Sequence, residues 1–185
     1  MPARGVRITA GSARGRLLQI PGRSTTRPTS TRLREAIFSS LGDLPYGRVA
    51  DLFAGSGILG IEALSRGANF ATFVESDRTA VSIIRSNLEK SGFAAYSQVV
   101  GRSMESFLRT AERVFDLVLA DPPYEYGELD RLVVDLSEAL LLERGVLVLE
   151  HASRRSAPSA PEGSEISKTR VHGDSAFTVY VKGQV

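Results

Sequence analysis

The sequence predicts an α/β protein of the Rossmann type, with a mostly parallel sheet of seven strands and an antiparallel hairpin at one edge. Three observations support this fold class. From Arg48 onward, short β-prone segments alternate with helix-periodic ones, as parallel sheets with covering helices require. A glycine-rich turn follows the first of these strands directly. The length of 185 residues, with 42% hydrophobic and 24% charged residues, is typical of one soluble domain.

The first 26 residues are predicted to form a basic β-hairpin extension ahead of a main domain at 27–185. Two short β-prone segments, at 6–9 and 17–20, flank a glycine-rich turn. A helix should then begin at a cap supplied by Thr29, Ser30 or Thr31 and end near Leu41.

The main domain is predicted from strand and helix segments in alternation. Strands are expected at 49–53, 70–75, 96–100, 115–120 and 146–150. Helices are expected at 58–65, 78–91, 103–111 and 129–142. The segment 152–163, rich in Ser, Pro and Ala, is interpreted as an exposed loop. Two last strands, at 166–171 and 177–182, should form the edge hairpin through Gly173 and Asp174.

Several function classes are excluded by composition. There are no cysteines, which excludes a disulfide framework, a thiol nucleophile and a zinc–thiolate site. No apolar run is long enough for a transmembrane helix, and no secretory signal is visible, so a cytoplasmic protein is expected. No metal cluster is apparent.

Positive charge is concentrated at the start of the chain. Residues 1–34 hold eight arginines and no acidic residue, which leaves 15 basic and 21 acidic residues, or −6, for the remainder. Arginine forks suit phosphate groups, so this segment is predicted to contact a polyanion. A solvated basic tail is the alternative, and an organellar transit peptide is disfavoured because glycines and Pro21 interrupt any amphipathic helix.

The turn after the first main-domain strand predicts nucleotide binding. Gly55, Gly57 and Gly60 form a G-x-G-x-x-G pattern, and Glu75 ends the next strand, where a carboxylate can grip ribose hydroxyls. Asp51 at the mouth of this loop would repel a diphosphate and attract an ammonium group. It therefore favours S-adenosylmethionine over NAD, although Asp51 could instead only brace the turn.

A second loop, Asp121-Pro122-Pro123-Tyr124, is expected to lie beside the first one, because it follows another buried strand. The two prolines make it rigid. Asp121 and the Pro122 carbonyl can accept the two N–H bonds of an exocyclic amine, and Tyr124 can stack on the base. Accepting these bonds stabilises the positive charge that develops on the nitrogen during methyl transfer. A purely structural Pro-Pro turn is the alternative.

A third loop supplies a weaker signal. Ser103 and Met104 follow the predicted strand 96–100 and could contact an adenine ring. A helix cap at Ser103 with Met104 in the core explains them equally well.

Six segments taken in order carry a closer resemblance. They are Arg27-Pro28-Thr29, Arg34-Glu35-Ala36-Ile37-Phe38, Asp51-Leu52-Phe53-Ala54-Gly55-Ser56-Gly57, Glu62-Ala63-Leu64-Ser65-Arg66-Gly67-Ala68, Glu75-Ser76-Asp77 and Asp121-Pro122-Pro123-Tyr124. Together they resemble the bacterial RsmD family of Class I S-adenosylmethionine-dependent methyltransferases over nearly the whole chain. The resemblance implies a Rossmann-like Class I methyltransferase fold that methylates N2 of one guanine in 16S ribosomal RNA.

The resemblance also implies roles for individual residues. Asp121, Pro122, Pro123 and Tyr124 would hold the guanine amine. The expected S-adenosylmethionine-binding residues are Asp51, Phe53, Ala54, Gly55, Gly57, Glu75, Ser76, Arg102, Ser103 and Met104. The charge pattern of the first 34 residues, rather than the resemblance, gives the expected RNA-binding residues, which are Arg4, Arg7, Arg14, Arg16, Arg27, Arg32 and Arg34. For the helix that carries Arg32 and Arg34, a cofactor lid or a packing helix with solvated arginines is the alternative. Asp heads the Pro-Pro-Tyr here where many amine methyltransferases have Asn, so the tetrapeptide alone does not name the base.

The expected partner is 16S rRNA, within the small ribosomal subunit or an assembly intermediate, and a monomer is the default. Deletion of residues 1–20 should then weaken RNA binding and spare cofactor binding. The alternatives are an amine methyltransferase acting on DNA or protein, a catalytically inactive RNA-binding module and, third, an NAD oxidoreductase.

Overall fold

The computed structural model describes residues 5–22, 30–42 and 47–183. The strands within these ranges are β1 (Gly5–Arg7), β2 (Leu17–Gln19), β3 (Arg48–Leu52), β4 (Phe70–Val74), β5 (Ser97–Val100), β6 (Phe115–Ala120), β7 (Leu141–Ala152), β8 (Ser164–His172) and β9 (Ser175–Lys182). The helices are α1 (Thr31–Leu41), α2 (Ile58–Ser65), α3 (Arg78–Ser91), α4 (Met104–Leu108) and α5 (Leu129–Leu140), with a 3-10 turn at Ala94–Tyr96.

Seven strands form one sheet in the order β5-β4-β3-β6-β7-β9-β8. The pairs from β5 to β7 are parallel, whereas β9 lies antiparallel to both β7 and β8. This arrangement confirms the predicted sheet and its edge hairpin. The chain leaves β3 in one direction along the sheet and returns to β6 on its other side. Ligands of open α/β sheets bind at such a switch point, beyond the carboxyl ends of the strands.

Local capping explains why several helices match their predicted bounds. Ser30 caps α1, with its Oγ accepting from the Leu33 amide at 3.1 Å. Asp77 caps α3 in the same way, and Gly92 ends that helix in the left-handed conformation.

Two predicted boundaries differ from the structure by three residues or more. Helix α4 ends at Leu108 rather than near residue 111. Strand β7 begins at Leu141 rather than Val146, because the backbone adopts an extended conformation directly after Leu140. The early part of β7 is irregular: Arg144 has a φ of 64°, and the register against β6 shifts between Phe115 and Leu117.

The N-terminal hairpin shares the hydrophobic core of the sheet. Strands β1 and β2 pair antiparallel, as predicted. Ile8, Ala13 and Leu18 are at most 3% exposed and belong to the same apolar cluster as the inner faces of α1 and α2. A second cluster on the other face of the sheet contains the apolar side of α5. Among the described residues, no helix has the length and apolar character needed to cross a membrane.

Candidate active site

A cavity of about 820 Å³ opens at the carboxyl ends of β3, β4 and β6. Eleven of the predicted site residues line it: Asp51, Phe53, Ala54, Gly55, Glu75, Ser76, Arg102, Ser103, Met104, Asp121 and Pro123. The structure thus brings the glycine loop, the end of β4, the loop after β5 and the Asp-Pro-Pro segment to one place.

The glycine loop is tied to the end of β3. Asp51 is 1% exposed, and its Oδ2 accepts from the Gly60 amide at 2.8 Å. A Cβ on Gly60 would lie 2.8 Å from Phe73 Cζ, so only glycine lets α2 approach the sheet this closely. Asp51 therefore braces the turn and faces the cavity at the same time.

Gly57 is not among the residues that line the cavity. Its φ is 76° and it immediately precedes α2, so it makes the turn into that helix. A Cβ there would lie 3.3 Å from both Ile84 and Phe73. Its role in this structure is to let the loop pack on the core beneath it.

Glu75 fastens the neighbouring strand end to the same loop. One carboxylate oxygen accepts from the Gly55 amide and the other from the Asp77 amide, each at 2.8 Å. Each oxygen keeps a second lone pair, so this carboxylate can still accept hydroxyl groups from the cavity side.

The cavity is strongly acidic. Among the described residues that line it, Asp51, Glu75, Asp77, Glu105 and Asp121 carry carboxylates and Arg102 carries a guanidinium. Burial raises the pKa of Asp51 well above its ordinary value, and the nearby charges of Asp121 and Glu75 raise it further. Such a site repels a diphosphate and suits a ligand that carries positive charge.

Ser103 and Met104 have the helix-cap and core positions that the sequence allowed, and both also line the cavity. Ser103 caps α4 by accepting from the Ser106 amide at 3.2 Å, and it also lines the cavity. Met104 is 5% exposed and belongs to the core, with part of its surface on the cavity.

Asp121 lies next to the glycine loop because β6 pairs directly with β3. The register places Leu52 opposite Ala120, and the Asp121 amide approaches the Leu52 carbonyl at 3.5 Å. The loops that follow these two positions therefore face the same cavity.

Pro122 and Tyr124 are not among the residues that line the cavity, although they belong to the loop that reaches it through Asp121 and Pro123. Pro122 is buried beside Leu129 and His151, and the Tyr124 hydroxyl shares a 2.8 Å hydrogen bond with Ser175. The Tyr124 ring is 40% exposed.

Tyr126 provides, with Phe53, the aromatic surface of the cavity. The two rings meet edge to face with centroids 5.8 Å apart. Sequence reasoning missed Tyr126, although a second tyrosine three residues beyond the Pro-Pro pair was a visible signal.

Arg155 holds the far end of this loop and was also missed. It lies in the segment that was interpreted only as an exposed loop. Its guanidinium donates to the Tyr126 carbonyl at 2.6 Å and to the Gly127 carbonyl at 3.0 Å. Two charge-assisted bonds from one planar group fix both position and direction of that backbone.

The predicted RNA-binding arginines are exposed, outside the described residues or, for Arg34 alone among those described, buried. Arg7, Arg14, Arg16 and Arg32 are exposed. Arg4 and Arg27 lie outside the described residues.

Arg34 corrects the prediction, because it is fully buried. Its Nε lies 3.2 Å from Glu62 Oε2, and its Nη2 donates to the Arg7 carbonyl at 2.7 Å. Burial lowers the pKa of Arg34, while the charge of Glu62 opposes that effect. Arg34 thus joins α1, α2 and the hairpin and has no surface to offer to RNA.

The strand order, the glycine turn and an acidic cavity shared with an Asp-Pro-Pro-Tyr loop define a Class I S-adenosylmethionine-dependent methyltransferase. Among the described residues, no group of three or more His, Asp or Glu side chains could hold a metal ion.

Comparisons with known proteins give the family. A family model described as "Conserved hypothetical protein 95" matches residues 6–181. YlbH of Bacillus subtilis is 35% identical, over 96% of this chain and 99% of its own. Ribosomal RNA small subunit methyltransferase D of Escherichia coli is 34% identical, over 95% of this chain and 89% of its own. The structure of yhhF from Escherichia coli is 31% identical, with a TM-score of 0.85, and covers 97% and 99% of the two chains. This chain belongs to the RsmD/YlbH family of S-adenosylmethionine-dependent methyltransferases.

Proposed function

We propose that this protein transfers a methyl group from S-adenosylmethionine to the exocyclic N2 amine of one guanine in 16S ribosomal RNA, within the small subunit or an assembly intermediate. The observation that carries the proposal is the shared cavity of Asp51 and Asp121 at neighbouring strand ends. The name of the Escherichia coli relative, which is 34% identical, supports the ribosomal substrate.

The residues present fit S-adenosylmethionine, because the cavity is acidic and the cofactor carries a sulfonium and an ammonium group. Asp51 would attract the ammonium, and Glu75 would accept the ribose hydroxyls. Ser103 and Met104 would contact the adenine. When bound, the cofactor supplies an electrophilic methyl group.

Asp121 is the residue that would make the exocyclic amine of the base a better nucleophile. The lone pair of an aryl amine is conjugated with its ring, so the amine is a weak nucleophile. The Asp121 carboxylate would accept one N–H bond and the Pro122 carbonyl the other, which stabilises the positive charge as it forms on nitrogen. The two prolines hold these acceptors rigidly, so positioning contributes much of the rate.

Aromatic residues would hold the base. The exposed ring of Tyr124 directly follows Pro123, where it can stack on a base that enters from outside. Phe53 and Tyr126 give the cavity an apolar wall. A guanine in folded RNA must leave its stack to reach this site.

The exposed arginines of the hairpin would bind the RNA backbone. Arg7, Arg14 and Arg16 lie on or between β1 and β2, and Arg32 lies on the first turn of α1. Contacts of guanidinium groups with phosphates make affinity fall as salt rises. The hairpin would therefore contribute affinity for the RNA backbone, while the loops at the cavity would carry out methyl transfer.

The test is methylation by the purified protein with methyl-labelled S-adenosylmethionine. Small-subunit particles, naked 16S RNA, duplex DNA and glutamine peptides are the four substrates, and mass spectrometry maps the product. We expect N2-methylguanine at one RNA position. Label in DNA or peptide, or in another RNA base, would contradict the proposal. Loss of the same modification from cells lacking the protein provides the independent control.

A further inference from the structure

Asn87 connects two separate segments of the chain from a position inside the core. It lies on α3 and is 0% exposed. Its Nδ2 donates to the Ser56 carbonyl in the glycine loop at 2.9 Å. The same amide pairs with Gln19 at the end of β2: Nδ2 donates to the Gln19 carbonyl at 2.9 Å, and Oδ1 accepts from the Gln19 amide at 2.8 Å.

The double contact with Gln19 has the geometry of strand pairing. A neighbouring strand would take both the N–H and the C=O of such a residue, and here one side-chain amide takes both. A carboxylate has no donor for the two carbonyls, and an apolar side chain would leave the buried Ser56 carbonyl and the partly buried amide and carbonyl of Gln19 without this partner. The site therefore requires an amide.

The residues that follow Gln19 form a wall of the cavity. Ile20, Pro21 and Gly22 all line it, together with Ala54, Gly55 and Ser56 of the glycine loop. Asn87 itself does not line the cavity. It holds the backbone of both walls through Ser56 on one side and Gln19 on the other.

We propose that Asn87 is a positioning residue that fixes the 20–22 wall relative to the glycine loop and so sets the affinity for S-adenosylmethionine. The inference rests on the proposed function, since it takes the cavity to be the cofactor site. It makes the N-terminal segment part of the cofactor site as well as the start of the RNA-binding arm. The expectation that deletion of residues 1–20 spares cofactor binding does not fit this arrangement.

The matched pair of variants is Asn87→Ala and Ser91→Ala. Ser91 lies one turn further along α3, is 4% exposed, and its Oγ donates only within its own helix, to the Asn87 and Leu88 carbonyls. Calorimetric titration with S-adenosylhomocysteine should show a Kd about tenfold higher for Asn87→Ala and within about twofold of wild type for Ser91→Ala. Thermal unfolding of both variants measures the loss of stability separately.

The outcomes separate this inference from the proposed function. If Asn87→Ala is folded and its Kd stays within about twofold of wild type, Asn87 is only a core residue and the inference is overturned. If the wild-type protein itself does not bind S-adenosylhomocysteine, the proposed function fails and the inference fails with it.

Hydrogen exchange of the wild-type protein gives an answer even if Asn87→Ala does not fold. The Gln19 amide donates to Asn87 and the Ile20 amide belongs to the cavity wall. S-adenosylhomocysteine should slow exchange at both by about tenfold or more. Unchanged exchange at both amides in a protein saturated with ligand would overturn the inference.

Discussion

The glycine loop and the Asp-Pro-Pro-Tyr loop follow adjacent strands, but they are held in different ways. The glycine loop is held from the protein interior. Asp51, Glu75 and Asn87 each form a hydrogen bond with its backbone, and Asp51 and Asn87 are buried. The second loop is held from outside, where Arg155 binds its far end and Ser175 meets the hydroxyl of Tyr124.

This difference matches the two ligands that we assign to the cavity. A cofactor that binds in every turnover gains affinity from a site that is already built. An RNA base must enter from solvent, so its side of the cavity has to be reachable, and Pro123 and Tyr124 are exposed. The comparison predicts that changes in the first loop act on cofactor affinity and changes in the second act on turnover.

The largest expected effect comes from Asp121→Ala. Removal of the carboxylate takes away the group that stabilises positive charge on the amine, so kcat should fall by about 10³-fold or more. Calorimetry should show S-adenosylhomocysteine binding within about threefold of wild type. Asp121→Asn keeps one carbonyl oxygen and should retain more activity than Ala. An alanine variant with wild-type turnover would refute the role of Asp121.

Gly60→Ala tests the opposite loop. The new methyl group would meet Phe73 and approach the Asp51 Cβ at 3.1 Å, so α2 and the carboxylate must shift. Overpacking of this kind costs about 1–3 kcal/mol of stability, and we expect weakened binding of S-adenosylhomocysteine along with it.

Gly101→Ala is the matched control for Gly60→Ala. Its Cβ would meet only Val81 methyl groups, at 3.7 Å and beyond, and should change neither unfolding temperature nor Kd appreciably. Equal effects of the two substitutions would show that close packing at Gly60 is not what positions Asp51.

Arg155→Ala should lower turnover by about tenfold, because the Tyr126 and Gly127 carbonyls lose their two charged donors. The expected signature is a lower kcat with an almost unchanged KM for S-adenosylmethionine. Arg154→Ala, at the exposed neighbouring position, is the control and should behave as wild type. A rise in the KM for the cofactor without a change in kcat would show that Arg155 acts on cofactor binding, which would contradict its assignment to the Asp-Pro-Pro-Tyr loop.

The smallest expected effect is a pH dependence that originates at Asp51. Because burial raises its pKa, the native state holds this proton to higher pH than the unfolded chain does. The neutral form of Asp51 therefore contributes to the free energy of unfolding at low pH, and this contribution is lost as pH rises through the raised pKa. A cationic ligand prefers the carboxylate, so affinity for S-adenosylhomocysteine should increase as pH rises through the raised pKa of Asp51. Asp51→Asn should flatten that slope, and an identical slope in the variant would exclude Asp51 as its source.

The fold could be predicted where short-range signals were complete. Helices α2 and α3 have the predicted bounds because a glycine turn and an Asp cap begin them and small polar residues or glycine end them. Strand β7 could not be delimited, because Leu140 and Leu141 are both buried while one ends a helix and the other begins a strand. No local pattern separates those two states.

The site could be predicted only as far as its loops. The juxtaposition of Asp51 and Asp121 could be predicted, because the carboxyl ends of adjacent parallel strands must meet. The burial of Arg34 could not, because its partner Glu62 lies 28 positions further on and only the tertiary fold brings the two together. Tyr124 and Tyr126 differ by two positions after a rigid turn, and sequence alone does not tell which ring turns inward.

The most direct test of the shared cavity is a crystal structure of the protein with S-adenosylhomocysteine and a short guanine-containing RNA. We expect the guanine N2 within hydrogen-bond distance of Asp121, at about 3 Å, and in line with the cofactor sulfur. A structure in which the cofactor lies away from Asp51 and Glu75, or in which the base binds with its amine pointing away from Asp121, would contradict the account.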